Sequence, residues 1–392
     1  MSSENDEWSR MDEELIPTQP IWVDSETELA RLCDKWSAQA ALAIDTEFMR
    51  SQTFYPKTGL LQIGDGEGCY LIDPIAIADF TPLKALLIKP DVTKVIHSCS
   101  EDLDVFSTLL GVVPQPLLDT QIAAAYAGYG FSVGYANLLK AVMGVEIPKS
   151  ETRSDWLQRP LSQSQLKYAA MDVAYLLVVY GKLLKILRQN QRLSWVQEDC
   201  EELIANARAE ETHDTYYRKV KLAWQLSRQE LAVLQALCAW RERQARIEDI
   251  PRNRVMKERT LWELAKRKTV KEALLYKVDG LMARTIKVEG ETLVNIIAEV
   301  VKRDRSTYPS RLPPPLTTEQ GELVKRLKAV VNDKAQALGL PVEVLVRKKD
   351  YEYIVRSRRE FGGYQLPERL QGWRRAVIGD DLIRVLGCPE TE

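Results

Sequence analysis

Five residues of this 392-residue chain have the types and spacing to act together: Asp45 and Glu47, Asp102, and Tyr168 with Asp172. The stretch Ala41 to Phe48, ALAIDTEF, is apolar enough to be a buried strand and yet ends in two carboxylates. Residues two apart on a strand share a face, so Asp45 and Glu47 project side by side while Leu42, Ile44, Thr46 and Phe48 line the other face. A pair of desolvated like charges implies a cation. With Asp102 and Asp172 the site holds four carboxylates, and an all-oxygen ligand set favours Mg²⁺ or Mn²⁺ over zinc.

The elements that must position these groups are legible from periodicity. In a helix following His97, positions three, four and seven beyond Asp102 are Val105, Phe106 and Leu109, so Asp102 shares the apolar face. Asp104 leads instead to Ser107 and Thr108 and is expected in solvent. A second helix is expected from about Ser162, where Ser162 and Gln165 have capping-box spacing, through to about Leu187. Tyr168 and Asp172 lie one turn apart on its apolar face with Tyr175, Leu176 and Val179. Strands are expected at Leu60 to Gly64 and Cys69 to Asp73, joined by an Asp65-Gly66 turn, with Gly64, Gly66 and Gly68 as turn residues. Further short strands at Lys94 to Ser98 and Leu117 to Gln121 alternate with helices. Asp119 ends the latter, in a hydrogen-bonding or capping role as readily as a direct one.

Composition narrows the class. Hydrophobic residues make up 45% and charged residues 28% of the chain, and no stretch approaches the roughly 18 consecutive apolar residues of a membrane span. Residues 1 to 18 are polar and mostly acidic, which reads as a disordered tail on a cytoplasmic protein. Six cysteines lie far apart without C-x-x-C spacing, against a disulfide framework or zinc site. With only two histidines, His97 and His213, a histidine-built metal centre is disfavoured. The net charge of −2 conceals an asymmetry: residues 19 to 210 hold 17 Lys and Arg against 24 Asp and Glu, while 218 to 305 hold 21 against 12. A basic module suited to phosphates follows an acidic one.

The ordered set Asp45, Glu47, Asp102, Tyr168 and Asp172 resembles the tyrosine-containing branch of the DEDD exonuclease superfamily. The stretches DTEF, TFYPKTGLLQIGD, LIDP, HSCSEDLDVF, PQPLLDTQIAA, KSETRSDWLQRPLS and YAAMDVAYLL resemble the ribonuclease D family along nearly all of residues 20 to 190. Farther on, ARIEDIPRNRVMKERTLWELAKRK resembles the helicase-and-RNase-D C-terminal (HRDC) domain, a non-catalytic nucleic-acid-binding bundle. The resemblance implies an α/β ribonuclease H-like exonuclease domain, a mixed sheet flanked by helices, followed by one or two all-α HRDC-type bundles. The expected organisation is a tail at 1–18, exonuclease domain at 19–210, HRDC domain at 215–305, a stiff proline-rich linker at 306–315, and a helical HRDC-like bundle at 316–392.

The implied activity is 3′→5′ removal of 5′-mononucleotides from RNA 3′ ends, with tRNA precursors as the family's substrate. Nothing in the sequence calls for a membrane or an obligate protein partner. Two ions would stabilise the attacking and leaving oxygens of an in-line displacement at phosphorus. By the resemblance Asp45 bridges them, Glu47 and Asp172 hold one, and Asp102 holds the other directly or through water. Tyr168 orients the attacking water, since a phenol of pKa about 10 is a poor base at neutral pH. Lys149, Arg153, Trp156 and Arg159, on a loop beside the second helix, are candidates for phosphate and base contacts, as are Phe48 and His97 for the terminal nucleotide. The alternatives are a DNA exonuclease with the same site, since choosing RNA needs contact to the 2′-hydroxyl, and an inactive nucleic-acid-binding scaffold.

Overall fold

The computed structural model describes residues 16–147, 151, 153–209 and 213–387, with the side chains of all but Arg359 and Phe361. In chain order the first part comprises β1 (Pro20–Val23), α1 (Glu26–Trp36), β2 (Ala41–Met49), β3 (Lys57–Gly64), β4 (Cys69–Ile72), α2 (Thr81–Leu87), β5 (Thr93–Ile96), α3 (Ser100–Leu110), β6 (Leu117–Asp119), α4 (Thr120–Tyr126), α5 (Tyr135–Met143), α6 (Gln163–Ala174), α7 (Leu176–Gln189) and α8 (Leu193–Arg208). The six strands form one sheet in the order β1-β4-β3-β2-β5-β6. β1 is parallel to β4, β4 antiparallel to β3, and β2, β5 and β6 run parallel. The mixed sheet flanked by helices expected from the sequence is therefore present.

The first residues of β2 show why it is the central strand, because neither face is wet. Leu42 and Ile44 pack into one core with Trp36, Leu83 and Phe106 from α1, α2 and α3. Ala41 and Ala43 pack on the other face with Ala170 and Val173 of α6 and Leu177 of α7. Alternation extends that second face to Asp45 and Glu47. Gly64 is not a turn residue, as expected, but a close-approach position. A Cβ there would lie 2.8 Å from the Val173 carbonyl oxygen, so only glycine lets α6 settle against the sheet. Gly66, with φ 87°, does make the turn.

Two expected elements differ in detail. The helix from Ser162 has its capping box with Gln165 but breaks at Tyr175 into α6 and α7. The segment to Gln121 ends as a strand at Asp119, whose side chain accepts from the Gln121 and Ile122 amides and starts α4. Residues 316–387, read from the sequence as a bundle of their own, group with the exonuclease residues into one compact unit. Leu327, Val331, Leu345 and Ile354 join the same apolar core as Tyr126, Leu139 and Val196. There the buried Arg374 donates to Asp199 (2.7 Å) and to the Tyr126 hydroxyl (2.9 Å), and Trp373 stacks on Trp195 at 4.2 Å.

The second unit holds residues 50–57 and 209–315. Its main helices are α9 (Arg228–Ile247), α10 (Arg252–Val255), α11 (Glu258–Arg267), α12 (Glu272–Leu275) and α13 (Ala283–Lys302), packed around Leu231, Leu237, Leu261, Leu264, Leu293 and Ile297. Residues 50–57, the β2–β3 connection, belong here for two reasons. Asp249 accepts from the Phe54 and Tyr55 amides at 3.0 Å each, and the Phe54 ring lies against the guanidiniums of Arg246 and Arg252. The proline-rich segment is not spacer from its start, since Tyr308 is buried in this core and its carbonyl accepts from Arg228 at 2.7 Å.

Candidate active site

Asp45 and Glu47, near the end of β2, meet Asp172 from α6, and ligand oxygens of all three lie within 4.8 Å of one another. Asp102, on the first turn of α3, is buried at 7% exposure and accepts from the Thr46 hydroxyl at 2.5 Å. All four acids, with Tyr168, line one open cavity of about 250 Å³. Two periodicities converge here: the β2 face that packs against α6, and the apolar faces of α3 and α6.

Electrostatics mark the cluster as incomplete. Burial, then Asp102, Asp172 and Glu47, raise the Asp45 carboxyl well above the usual range. Burial and the neighbouring Asp172 and Asp102 push Glu47 up to about 9. Burial raises Asp172 to about 7, against the hydrogen bond from Tyr168, and Asp102 to about 6, against the bond from Thr46. Burial and the same acids push the Tyr168 phenol up from its ordinary value, so it stays protonated and acts as a donor. Carboxylates that raise one another in this way are a donor set for a hard divalent cation.

Of the candidate substrate contacts, Phe48 and His97 line the cavity. Both His97 nitrogens are engaged, Nδ1 with the Thr120 hydroxyl at 2.9 Å and Nε2 with the Val133 carbonyl at 3.1 Å, and its ring lies tilted against Tyr135 at 5.5 Å. Lys149 lies outside the described residues, and Arg153 is exposed. Trp156 and Arg159 turn inward instead of offering themselves to a strand. Trp156 is 1% exposed, packed with Leu60, Leu71 and Leu161 and tilted against Tyr168 at 6.1 Å. A Cβ on Gly59 would lie 2.5 Å from the Trp156 carbonyl oxygen, so that glycine admits the close approach of the Trp156 backbone. Arg159 is spent on Asp73 (2.7 and 2.9 Å) and the Gly59 carbonyl. Both residues brace the wall behind Tyr168.

Sequence reasoning missed Tyr135, Glu101 and Thr46, which also line the cavity. Thr46 was assigned to the face away from the acids, yet its hydroxyl holds Asp102. Asp119 is the hidden organiser. Besides capping α4 it accepts from the Ser98 and Cys99 amides at 3.0 Å each, fixing the turn between His97 and α3 with Ser98 at φ 60°.

A ribonuclease H-like sheet with four clustered acids and a phenol at the end of its central strand defines a 3′→5′ exonuclease of the DEDD type. The comparisons agree: residues 20–188 match the 3′-5′ exonuclease family, and residues 230–297 match the HRDC domain. The chain is 46% identical over 365 residues to a ribonuclease D of Pseudomonas paraeruginosa, covering 93% of this chain and 97% of that one. It is 35% identical over 372 residues to the ribonuclease D of Escherichia coli K12, covering 93% and 97%. A crystal structure of Escherichia coli RNase D, described as an exoribonuclease involved in structured RNA processing, superposes with a TM-score of 0.88 at 34% identity, covering 94% of this chain and 98% of that one. The chain belongs to the ribonuclease D family and is a 3′→5′ exoribonuclease. Among the described residues, no helix is long and apolar enough to cross a membrane.

Proposed function

We propose that the chain trims the 3′ ends of RNA one 5′-mononucleotide at a time, with cytoplasmic tRNA precursors as substrates and two divalent ions, Mg²⁺ or Mn²⁺, held by Asp45, Glu47, Asp102 and Asp172. The carrying observation is the convergence of Asp45, Glu47 and Asp172 within 4.8 Å, each raised by burial and by the other acids. When bound, such ions stabilise charge on the attacking and leaving oxygens at phosphorus. Asp45, Glu47 and Asp172 would hold such ions together with Asp102, which Thr46 orients. Tyr168, whose hydroxyl donates to Asp172 and whose ring is backed by Trp156, orients a water by accepting a hydrogen bond from it rather than by removing its proton. The ring faces of Phe48 and His97 support the terminal base and sugar. Residues 19–210 in this reading carry the chemistry, and the basic residues 215–305 hold the strand by counterion release.

The test is incubation of 5′-labelled RNA and DNA oligomers with Mg²⁺, Mn²⁺ or chelator. A one-nucleotide ladder from RNA, absent in chelator and weak on DNA, is expected. Internal cleavage, or full activity in chelator, would overturn the reading.

A further inference from the structure

The second unit contains a cavity that the catalytic site does not use. It has a volume of about 400 Å³ and lies between the β2–β3 connection, which supplies Arg50 and Thr53, and α9 to α11, which supply Arg241, Arg252, Asn253 and Glu258. Arg241 is 1% exposed, and among the described residues its one hydrogen bond runs from Nη1 to the Met256 carbonyl at 3.2 Å. Its Nε and Nη2 are buried without a partner among the described residues. The neighbouring Glu242 is already taken by Arg252 at 2.5 and 2.7 Å and by Arg246 at 3.2 Å. Glu258 lines the cavity but forms no ion pair with Arg241. The Tyr216 ring, 5.3 Å from the Arg241 guanidinium, offsets part of the desolvation but cannot accept from two N–H groups. A buried guanidinium lacking an anion is costly, and Arg241 is among the residues that line a space many times the roughly 30 Å³ that a water takes.

We propose that this cavity binds one phosphate group, with Arg241 as the anchoring charge and Arg50 and Arg252 on its walls. Guanidinium forks match phosphate oxygens in pairs. The inference rests on the reading that the chain handles RNA, and the phosphate is either a phosphodiester of a bound strand or a free phosphate anion. The β2–β3 connection thereby gives a segment of the exonuclease sequence a part in holding ligand within the basic unit.

The experiment uses the full chain, Asn253→Asp, which sets a carboxylate at the cavity rim without touching the core, and Arg241→Gln. Two probes are titrated against salt: a 20-nucleotide RNA protected by phosphorothioates at its 3′ end, and inorganic phosphate followed by calorimetry. For a strand phosphate, both variants bind the RNA about tenfold more weakly, and the slope of log affinity against log salt falls by about 0.7. For a free anion, inorganic phosphate binds the parent protein saturably and the variants lose it. If Arg241→Gln does not fold, Asn253→Asp and Asn253→Glu decide. Unchanged RNA affinity and slope in Asn253→Asp, together with no saturable phosphate binding by the parent, would overturn the site. Hydrolysis of a short RNA by the parent protein would continue in that case, whereas its absence would count against the proposed function instead.

Discussion

Two of the chain's carboxylate sites are treated in opposite ways. At the end of β2, Asp45, Glu47 and Asp172 face one another and Asp102 with no described cation among them, and burial and repulsion raise their pKa values. In α9, Glu242 is hidden more deeply, at 1% exposure, than the half-buried Asp45, Glu47 and Asp172, and burial again works to raise its carboxyl. There Arg252 and Arg246 outweigh burial and hold it below the ordinary range. The second carboxylate is finished by the protein itself. The first group is left for an exogenous charge, and that asymmetry separates an active site from an architectural ion pair.

Neutralising one acid in each region should therefore have opposite consequences. Asp45→Asn and Asp172→Asn are expected to cut RNA hydrolysis by about 10⁴-fold or more, as for members of a jointly acting catalytic set. In chelator both should melt no lower than the parent protein, because repulsion is relieved and no cavity is made. Near-normal turnover with saturating Mg²⁺ would show that the site lies elsewhere. Tyr168→Phe keeps the ring against Trp156 and loses only the hydroxyl. Its loss should be smaller, about 10²-fold within the range of 10²- to 10⁴-fold for positioned groups, and a single-turnover rate equal to the parent's would remove Tyr168 from the water-orienting role. Glu242→Gln strands two guanidiniums beside Phe54. It should destabilise the second unit by about 3 kcal/mol while a short oligomer is still cleaved at the parent rate. Calorimetry showing no change would mean that solvent already screens the pair.

Much of this contrast was legible in the sequence, for reasons that also explain the omissions. Asp45, Glu47, Asp102, Tyr168 and Asp172 could be found because each interrupts an apolar face whose period is local, two on β2 and 3.6 on α3 and α6. Trp156 and Arg159 were misplaced because a loop has no period to tell inside from outside. Their inward turn depends on Gly59 and Asp73, roughly 85 to 100 positions earlier. Thr46 was misplaced since strict alternation ignores what a helix delivers to a strand's end, here Asp102. The helices of 316–387 were visible, but their partner was not, because an amphipathic stripe specifies burial without specifying against what. Arg374 meeting Asp199 and Tyr126 is a long-range contact that no local pattern encodes.

The smallest expected effect is thermodynamic, and its sign distinguishes the two regions most cleanly. In chelator, Glu47 at about 9, Asp172 at about 7 and Asp102 at about 6 all lie above their ordinary values. The folded state then holds protons that the unfolded chain has released. Stability from these groups is full below about pH 4, their unfolded range, and is lost as pH rises through the folded values. Glu242, lowered by its arginines, does the reverse: its contribution is present above the ordinary glutamate range and is lost as pH falls through its folded value. Melting of the parent and of Glu47→Gln in chelator should therefore diverge between pH 5 and 9, with the parent losing a few degrees more, at about 2–4 °C per kcal/mol for a unit of this size. Saturating Mg²⁺ should narrow that gap, because a bound cation favours the ionised acids in place of protons. Parallel melting curves across that range would mean that the acids at the end of β2 are solvated and independent, and the contrast with Glu242 would reduce to the arginines alone.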